Sequence, residues 1–212
     1  GTVFEYVMKV QARNLGATAQ QAVNLKLVSV GAGTTIVDGD ASMASVPGRA
    51  SVEATDTITF RHDRSQPFDA QAWRWDAQGS ISGKVMDGYL RGAIVYWDCN
   101  GNQVPDATEA RTTSGPGGAY SIAAAPSQRC QLLAQVPWSA VDEDAPQTTV
   151  GLSYSLAAAP DQFDLITPYT TMIFGALNAD PTQSVATADD QLARSIGFTC
   201  GSLAVDYQAA SS

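Results

Sequence analysis

Short segments in which apolar and polar residues alternate run through the first two thirds of this chain, separated by turn-forming residues. Alternation with a period of two places successive side chains on opposite faces of a strand. Gly, Pro, Asn and Asp between the segments favour tight turns. The pattern therefore predicts a mainly β protein built from antiparallel sandwiches. The predicted strands lie at about 3–12, 23–27, 34–37, 55–61, 80–85, 93–97, 118–122 and 131–136.

The chain is long enough for more than one small sandwich, since it has 212 residues of which 44% are hydrophobic. We predict a first sandwich over residues 1–78 and a second over 79–165. After the second, apolar residues recur at steps of three and four, as on one face of a helix. Thr167-Pro168 and Asp180-Pro181 provide two helix starts, and Gly197 provides a helix stop. Residues 166–212 are therefore predicted to form a helical pair.

The sharpest chemical feature is the acidic segment from Asp98 to Glu109. Counted from Asp98 as position 1, oxygen donors fall at positions 1, 3, 5, 7, 9 and 12, the spacing of a twelve-residue calcium loop. Calcium takes about six to eight hard oxygen ligands, which carboxylates, amides and a backbone carbonyl supply. The predicted metal ligands are Asp98, Asn100, Asn102, the carbonyl of Val104, Asp106 and Glu109.

Two features of this segment depart from the helix-flanked calcium loop. Position 6, where that loop has glycine, is Gln103, and the glycine is Gly101 at position 4. The flanking residues are predicted strands rather than helices. The alternative interpretation is a polar hairpin turn around Asn-Gly whose carboxylates bind no metal.

A resemblance to a known family rests on residues 80–124. These contain Ser80-Ile-Ser-Gly-Lys-Val, the acidic loop, and Gly117-Gly-Ala-Tyr-Ser-Ile, and they resemble the Cna-B or SdrD B-like repeats of bacterial surface proteins. The resemblance implies a prealbumin-like sandwich over 79–165 whose acidic loop binds calcium. Residues 1–78 more loosely resemble the immunoglobulin-like stalk domains of the same secreted proteins, through Asn14-Leu-Gly-Ala-Thr-Ala and Asp63-Arg-Ser-Gln-Pro-Phe-Asp.

The three cysteines are Cys99, Cys130 and Cys200, and they form no Cys-x-x-Cys pair. This argues against a zinc ribbon or a redox motif. One disulfide with one remaining thiol is the simplest oxidised state. In an oxidising compartment we expect Cys99 to pair with Cys130, because both fall in the same predicted sandwich. Three reduced cysteines are the alternative.

The residues of common catalytic centres are scarce. His62 is the only histidine, and its charged neighbours predict a solvent-exposed strand end rather than a catalytic base. No nucleophile elbow, phosphate-binding loop or transition-metal motif is recognisable. We therefore expect a protein that is not an enzyme.

Charge and hydropathy restrict the partners. With 12 basic against 21 acidic residues the net charge is -9, so a phosphate backbone is repelled and we expect no nucleic-acid partner. No run of about 18 apolar residues occurs, so we expect no membrane span. The first residues lack a methionine and an apolar stretch, and we expect a mature or excised fragment.

These expectations converge on a secreted structural or adhesive module of a bacterial cell-surface or filamentous extracellular assembly. Its partners would be neighbouring domains or copies of itself, with Val3 to Val10 as a strand donated in β-augmentation. The alternative is a carbohydrate-binding accessory module of a secreted hydrolase, in which Trp73, Trp75 or Trp97 stacks on polysaccharide. Packing in a core or between domains is the favoured interpretation for Trp73 and Trp75.

Overall fold

A computed structural model describes residues 1–125, 130–197 and 202–209. Within these ranges the chain forms sixteen strands in several sheets, followed by two α-helices. The prediction of a mainly β, sandwich-like protein with two C-terminal helices is confirmed. Contacts along the chain divide it into two compact units, Gly1–Ser80 and Ile81–Ser212.

The first unit consists of three groups of antiparallel strands, in the orders β1-β7-β4, β8-β3-β5 and β2-β6. The strands are β1 Val3–Met8, β2 Gln11–Arg13, β3 Gln20–Ser29, β4 Thr34–Asp38, β5 Asp40–Val46, β6 Ser51–Glu53, β7 Ile58–Asp63 and the first residues of β8, Arg74–Val85. The core lies between β7 on one side and β3 with β5 on the other, and its most buried members include Leu27, Met43, Val46, Ile58 and Phe60.

The single strand predicted from Val3 to Ala12 is two strands in the structure. β1 pairs with β7 along its whole length, whereas β2 pairs with β6. The chain changes partner at Val10, whose carbonyl oxygen accepts a hydrogen bond from the Ala54 N–H at 2.8 Å. Alternation of side chains continues through this change, so the sequence pattern gives no sign of it.

His62 is buried, contrary to the prediction of a solvent-exposed histidine. It is 4% exposed, with Nδ1 2.9 Å from Thr34 Oγ1 and Nε2 3.1 Å from the Gln66 carbonyl oxygen. Because side chains alternate along β7, His62 shares the inward face with Phe60. The charged side chain of Arg61 lies on the opposite face and does not report on the environment of His62.

The second unit has one main sheet in the order β11-β10-β13-β15-β16-β8, with β12 beside β8 and β14 paired to β9. β16 runs parallel to the last residues of β8, and the other neighbours in the main sheet are antiparallel. The strands are β9 Leu90–Arg91, β10 Ile94–Asp98, β11 Arg111–Thr113, β12 Ala119–Ala123, β13 Gln131–Val136, β14 Val141–Asp142, β15 Tyr154–Ala159 and β16 Gln162–Thr167.

The main sheet of this unit is buried on both faces. On one face Trp97, Leu132 and Ile166 belong to a large apolar core, each at most 1% exposed. On the other face Tyr96 and neighbouring apolar side chains of β13 and β15 pack against Phe174 of a helix. This explains why β10 reads as a nearly continuous apolar run, since a strand covered on both faces needs no alternation.

The helices are α1, Pro168–Ala179, and α2, Val185–Ser195. Thr167 caps α1 as predicted, by accepting a hydrogen bond from the Thr170 N–H at 3.0 Å. The predicted second start at Asp180-Pro181 is wrong: Asp180 ends α1, and α2 begins after Ser184. Asp180 and Ser184 both have capping chemistry, but Asp180 uses its carboxylate in a turn by accepting from the Thr182 N–H.

No helix in the described part of the chain is long and apolar enough to cross a membrane.

Cys99 and Cys130 are joined in a disulfide, which is the pairing favoured from the sequence. Cys200 lies outside the described residues.

Candidate calcium-binding loop

The acidic segment connects two neighbouring antiparallel strands. Asp98 is the last residue of β10, and β11 begins shortly after Glu109. The sheet brings the two ends of the loop together, since the Trp97 N–H donates to the Ala110 carbonyl oxygen at 3.1 Å. The disulfide attaches the loop at Cys99 to the residue just before β13. The loop is therefore anchored by both backbone pairing and a covalent bond.

Asp98 organises the first half of the loop. Its side chain is buried, at 2% residue exposure, and its two carboxylate oxygens accept the Gly101 N–H at 2.7 Å and the Gln103 N–H at 2.9 Å. Gly101 and Gln103 both have left-handed backbones, with φ of +78° and +58°. A non-glycine residue in this conformation is uncommon. Gln103 thus adopts a glycine-like conformation at position 6, where the helix-flanked calcium loop has glycine.

The middle of the loop is held by asparagine side chains. Asn100 Oδ1 accepts the Asn102 N–H at 3.0 Å, and Asn102 Oδ1 accepts the Val104 N–H at 2.9 Å. Both asparagines direct Nδ2 to the same oxygen of Asp106, at 2.7 and 2.9 Å. The structure thus brings three of the predicted ligand side chains into direct contact, with the amide N–H groups compensating part of the charge of Asp106.

Glu109 closes the loop. One of its carboxylate oxygens accepts the Cys99 N–H at 3.0 Å and the other accepts the Asp106 N–H at 3.1 Å. It therefore links the beginning of the loop to its end through two charge-assisted hydrogen bonds.

Tyr96 is a polar residue near this loop that the sequence prediction missed. It is fully buried, and its hydroxyl has no hydrogen-bond partner among the described residues. Burial, together with the negative charges of Asp98, Glu109 and Asp106, raises the pKa of Tyr96 to about 12. An unpaired buried hydroxyl is costly, so the structure holds an unused donor close to three carboxylates. The only available signal was that Tyr96 and Asp98, two residues apart on a strand, share a face.

The donor chemistry of the loop fits a calcium ion. Its side chains offer carboxylate and amide oxygens, the hard ligands that calcium takes, and an oxygen that accepts one N–H keeps a further lone pair. In the described ranges no three His, Cys, Asp or Glu side chains are grouped so that they hold a metal by themselves. A calcium ion would therefore need the amide oxygens and backbone as well, and would replace the amide contacts that now engage Asp106.

The tryptophans considered for polysaccharide stacking are mostly covered. Trp97 is 1% exposed and donates its Nε1–H to the Ala123 carbonyl oxygen at 2.8 Å, so it offers no stacking surface. Trp73 packs edge-on against Phe60, with ring centroids 5.0 Å apart. Trp75 lies 6.3 Å from Trp73 between centroids and is 37% exposed. The burial of Trp97 removes it from the alternative in which Trp73, Trp75 or Trp97 stacks on polysaccharide.

Comparisons with known proteins give no relative for this chain. No family model, no curated protein and no solved structure matches it. The interpretation of the loop therefore rests on its own residues and their geometry.

Proposed function

We propose that this chain is a non-enzymatic structural or adhesive module, stabilised by calcium, in a secreted assembly at a bacterial cell surface. In this proposal the first unit is immunoglobulin-like, and the second is a prealbumin-like sandwich of the Cna-B or SdrD B-like type. The observation that carries the proposal is the left-handed backbone of Gln103, at φ +58°. It gives position 6 of the loop the turn for which calcium loops use glycine, in a segment whose oxygen donors follow calcium-loop spacing.

The disulfide supports an extracellular location. A disulfide between Cys99 and Cys130 persists in oxidising compartments and is rare in a reducing cytosol. Free calcium is also far more abundant outside cells, where sites of sub-millimolar affinity are filled. The two features therefore favour the same environment.

The first strand supports assembly through an open sheet edge. Among the described residues β1 pairs only with β7, so its outer edge presents free backbone groups. It also exposes Val3, Phe4, Val7 and Met8, each at least 42%. Because β1 is already paired along its whole length, we propose that an incoming strand adds to its outer edge, rather than that Val3 to Val10 leaves to be donated.

The competing function, a carbohydrate-binding accessory module, has less support. It now depends on Trp75, since Trp97 is buried and Trp73 packs against other rings. A pull-down on insoluble polysaccharide separates the two functions. Retention of the chain there, abolished by Trp75→Ala, would favour the carbohydrate-binding function.

The calcium proposal is tested by thermal unfolding with chelator and with about 1 mM calcium. An extracellular-type affinity of about 0.1 mM predicts about 1.4 kcal/mol of added stability. For a unit of this size that corresponds to a melting temperature higher by about 3–6 °C. Bound calcium would then stabilise the loop between β10 and the edge strand β11.

The matched variants are Glu109→Gln in the loop and Glu53→Gln on β6, outside it. Glu109→Gln should abolish the calcium-dependent rise in melting temperature, while Glu53→Gln keeps it. A melting temperature unaffected by chelator and by calcium would contradict the calcium proposal. Light scattering that finds a monomer at every concentration, with calcium present, would count separately against assembly.

A further inference from the structure

The first unit contains an aromatic cavity that the proposed function does not use. It has a volume of about 550 Å³ and is lined by Tyr6, Phe60, His62, Arg64, Gln66 and Phe68. This volume lies in the range of small-molecule sites, which are mostly apolar with a few fixed polar groups. The cavity belongs entirely to the first unit, so it is independent of the loop in the second.

Three aromatic rings form the apolar wall. Tyr6 stacks on Phe60 at 5.2 Å between centroids, and Phe68 lies 6.0 Å from Phe60 in a similar orientation. Phe68 is 52% exposed although it is a large apolar side chain. A half-exposed ring at a cavity wall offers surface that a planar apolar ligand would cover, and ring pairs add attraction beyond the area they bury.

The wall that carries Phe68 is held in place by hydrogen bonds. The Gln66 carbonyl oxygen accepts from His62 Nε2, which therefore carries a proton, and the Gln66 N–H donates to the Asp63 carbonyl oxygen at 2.9 Å. The other ring nitrogen of His62, Nδ1, forms a hydrogen bond with Thr34 Oγ1. With both ring nitrogens engaged in hydrogen bonds, His62 fixes the position of this cavity wall.

Arg64 is the charged group of the cavity. Its guanidinium lies 4.2 Å from the centroid of the Phe4 ring, and Nε donates to the Tyr6 hydroxyl at 2.6 Å. Among the described residues Arg64 forms no ion pair, whereas its neighbour Arg61 pairs with Glu5. In a chain of net charge -9, a positioned arginine without a carboxylate is an available anion site. Its terminal nitrogens can bind a carboxylate through two parallel hydrogen bonds.

From these features we infer that the cavity binds an aromatic carboxylate, with its ring packed against the exposed ring of Phe68 and its carboxylate on Arg64. The same chemistry occurs in a free aryl-alkyl acid and in an aromatic residue at the C-terminus of a peptide. Both present one ring and one carboxylate a few bonds apart.

The inference is tested by titrating the whole ¹⁵N-labelled chain and following its amide and arginine Nε–H signals. The probes are 3-phenylpropionate, the uncharged 3-phenylpropanol, and propionate, which lacks the ring. Acetyl-Gly-Gly-Phe with a free carboxylate or a terminal amide distinguishes the two sources. We expect saturable shifts at cavity residues with at least one aromatic acid, and binding weaker by about tenfold to a hundredfold for its neutral counterpart.

Variants make the assignment specific. Arg64→Gln should weaken binding of the acid by a similar factor. Phe68→Ala should also weaken binding of the acid, and the chain should stay folded because Phe68 is 52% exposed. Arg61→Gln, on β7 three residues before Arg64, is the matched control and should bind as the unsubstituted chain does. The inference is overturned if neither aromatic acid shifts the cavity signals, if the neutral probes bind equally well, or if Arg64→Gln leaves the affinity unchanged.

Discussion

Removing the disulfide should destabilise the second unit by an amount that follows from the length of chain it closes. Cys99 and Cys130 are separated by 31 residues. In the chain-entropy description, a cross-link over that length removes about 12 cal/mol/K of entropy from the unfolded chain, or about 3.7 kcal/mol at 25 °C. The Cys99→Ala/Cys130→Ala double variant is therefore expected to lose about 3–4 kcal/mol of unfolding free energy.

Alanine is the suitable replacement because Cys130 is 7% exposed and packs in the core. A serine there would bury a hydroxyl, whose own cost would add to the measured loss of unfolding free energy. All chains should carry Cys200→Ala, so that no third thiol exchanges with the pair. Chemical reduction of the parent chain also removes the cross-link, without changing the sequence.

The assay is urea unfolding followed by tryptophan fluorescence, with and without reductant. With slopes of about 1–3 kcal/mol/M, the loss lowers the unfolding midpoint of the second unit by roughly 1–4 M. Reductant should lower the midpoint of the parent and leave that of the double variant unchanged. A midpoint lowered by less than about 0.3 M in both the variant and the reduced parent would refute the entropic reasoning.

Two further predictions concern close packing and charge in the second unit. Gly117 and Gly118 share φ +66°, but a Cβ at Gly118 would lie 2.3 Å from a backbone oxygen of β8, while nothing lies within 4 Å of one at Gly117. Gly118→Ala should therefore lose about 2 kcal/mol more unfolding free energy than Gly117→Ala in urea, and equal losses would contradict the steric argument. Lys84 Nζ lies 2.7 Å from an Asp206 oxygen, and this hydrogen bond raises the pKa of Lys84. Burial opposes the shift of Asp206, but its hydrogen bonds, led by that from Lys84, lower its pKa below 3.8. The contribution of Asp206 is present above its unfolded pKa and lost as pH falls through the lowered folded value. The contribution of Lys84 is present below its unfolded pKa of 10.5 and lost as pH rises through the raised folded value. The stability deficit of Lys84→Met in urea should thus be present at pH 7 and shrink below about pH 3 and above about pH 11. A deficit that stays constant from pH 2 to 7 would contradict this.

Much of the strand content could be predicted because alternation and turn residues are local signals. β3, β7 and β13 fall close to the segments predicted for them. β5 and β15 were not predicted, and both consist largely of alanine and serine. Such residues have low strand propensity, and their place in a sheet depends on being small where neighbouring side chains pack. That requirement comes from the partners and leaves no periodic mark in the segment itself.

The candidate site also has a part that could be predicted from the sequence and a part that could not. The spacing of oxygen donors from Asp98 to Glu109 is written in the sequence, and a loop with inward carboxylates and amides could be expected from it. The unpaired hydroxyl of Tyr96 could not be predicted from the sequence. The burial of Tyr96 depends on Phe174 of α1, which packs on the same face of the sheet as Tyr96. The burial of His62 likewise depends on the tertiary fold, because β7 is the central strand of its sheet, between β1 and β4, and Thr34 and Gln66 cover the ring.

The parallel pairing of β16 with β8 in the second unit constrains when this sheet can form during synthesis on the ribosome. Lys84 of β8 lies beside Leu165 of β16, so the sheet gains this neighbour only after about two thirds of the unit, Ile81–Ser212, has been translated. Until then the final residues of β8 lack that partner, and pairings between distant segments form slowly. A nascent chain at this stage exposes strand edges that invite incorrect contacts. Folding of the sheet that begins only once β16 has been translated would avoid that interval.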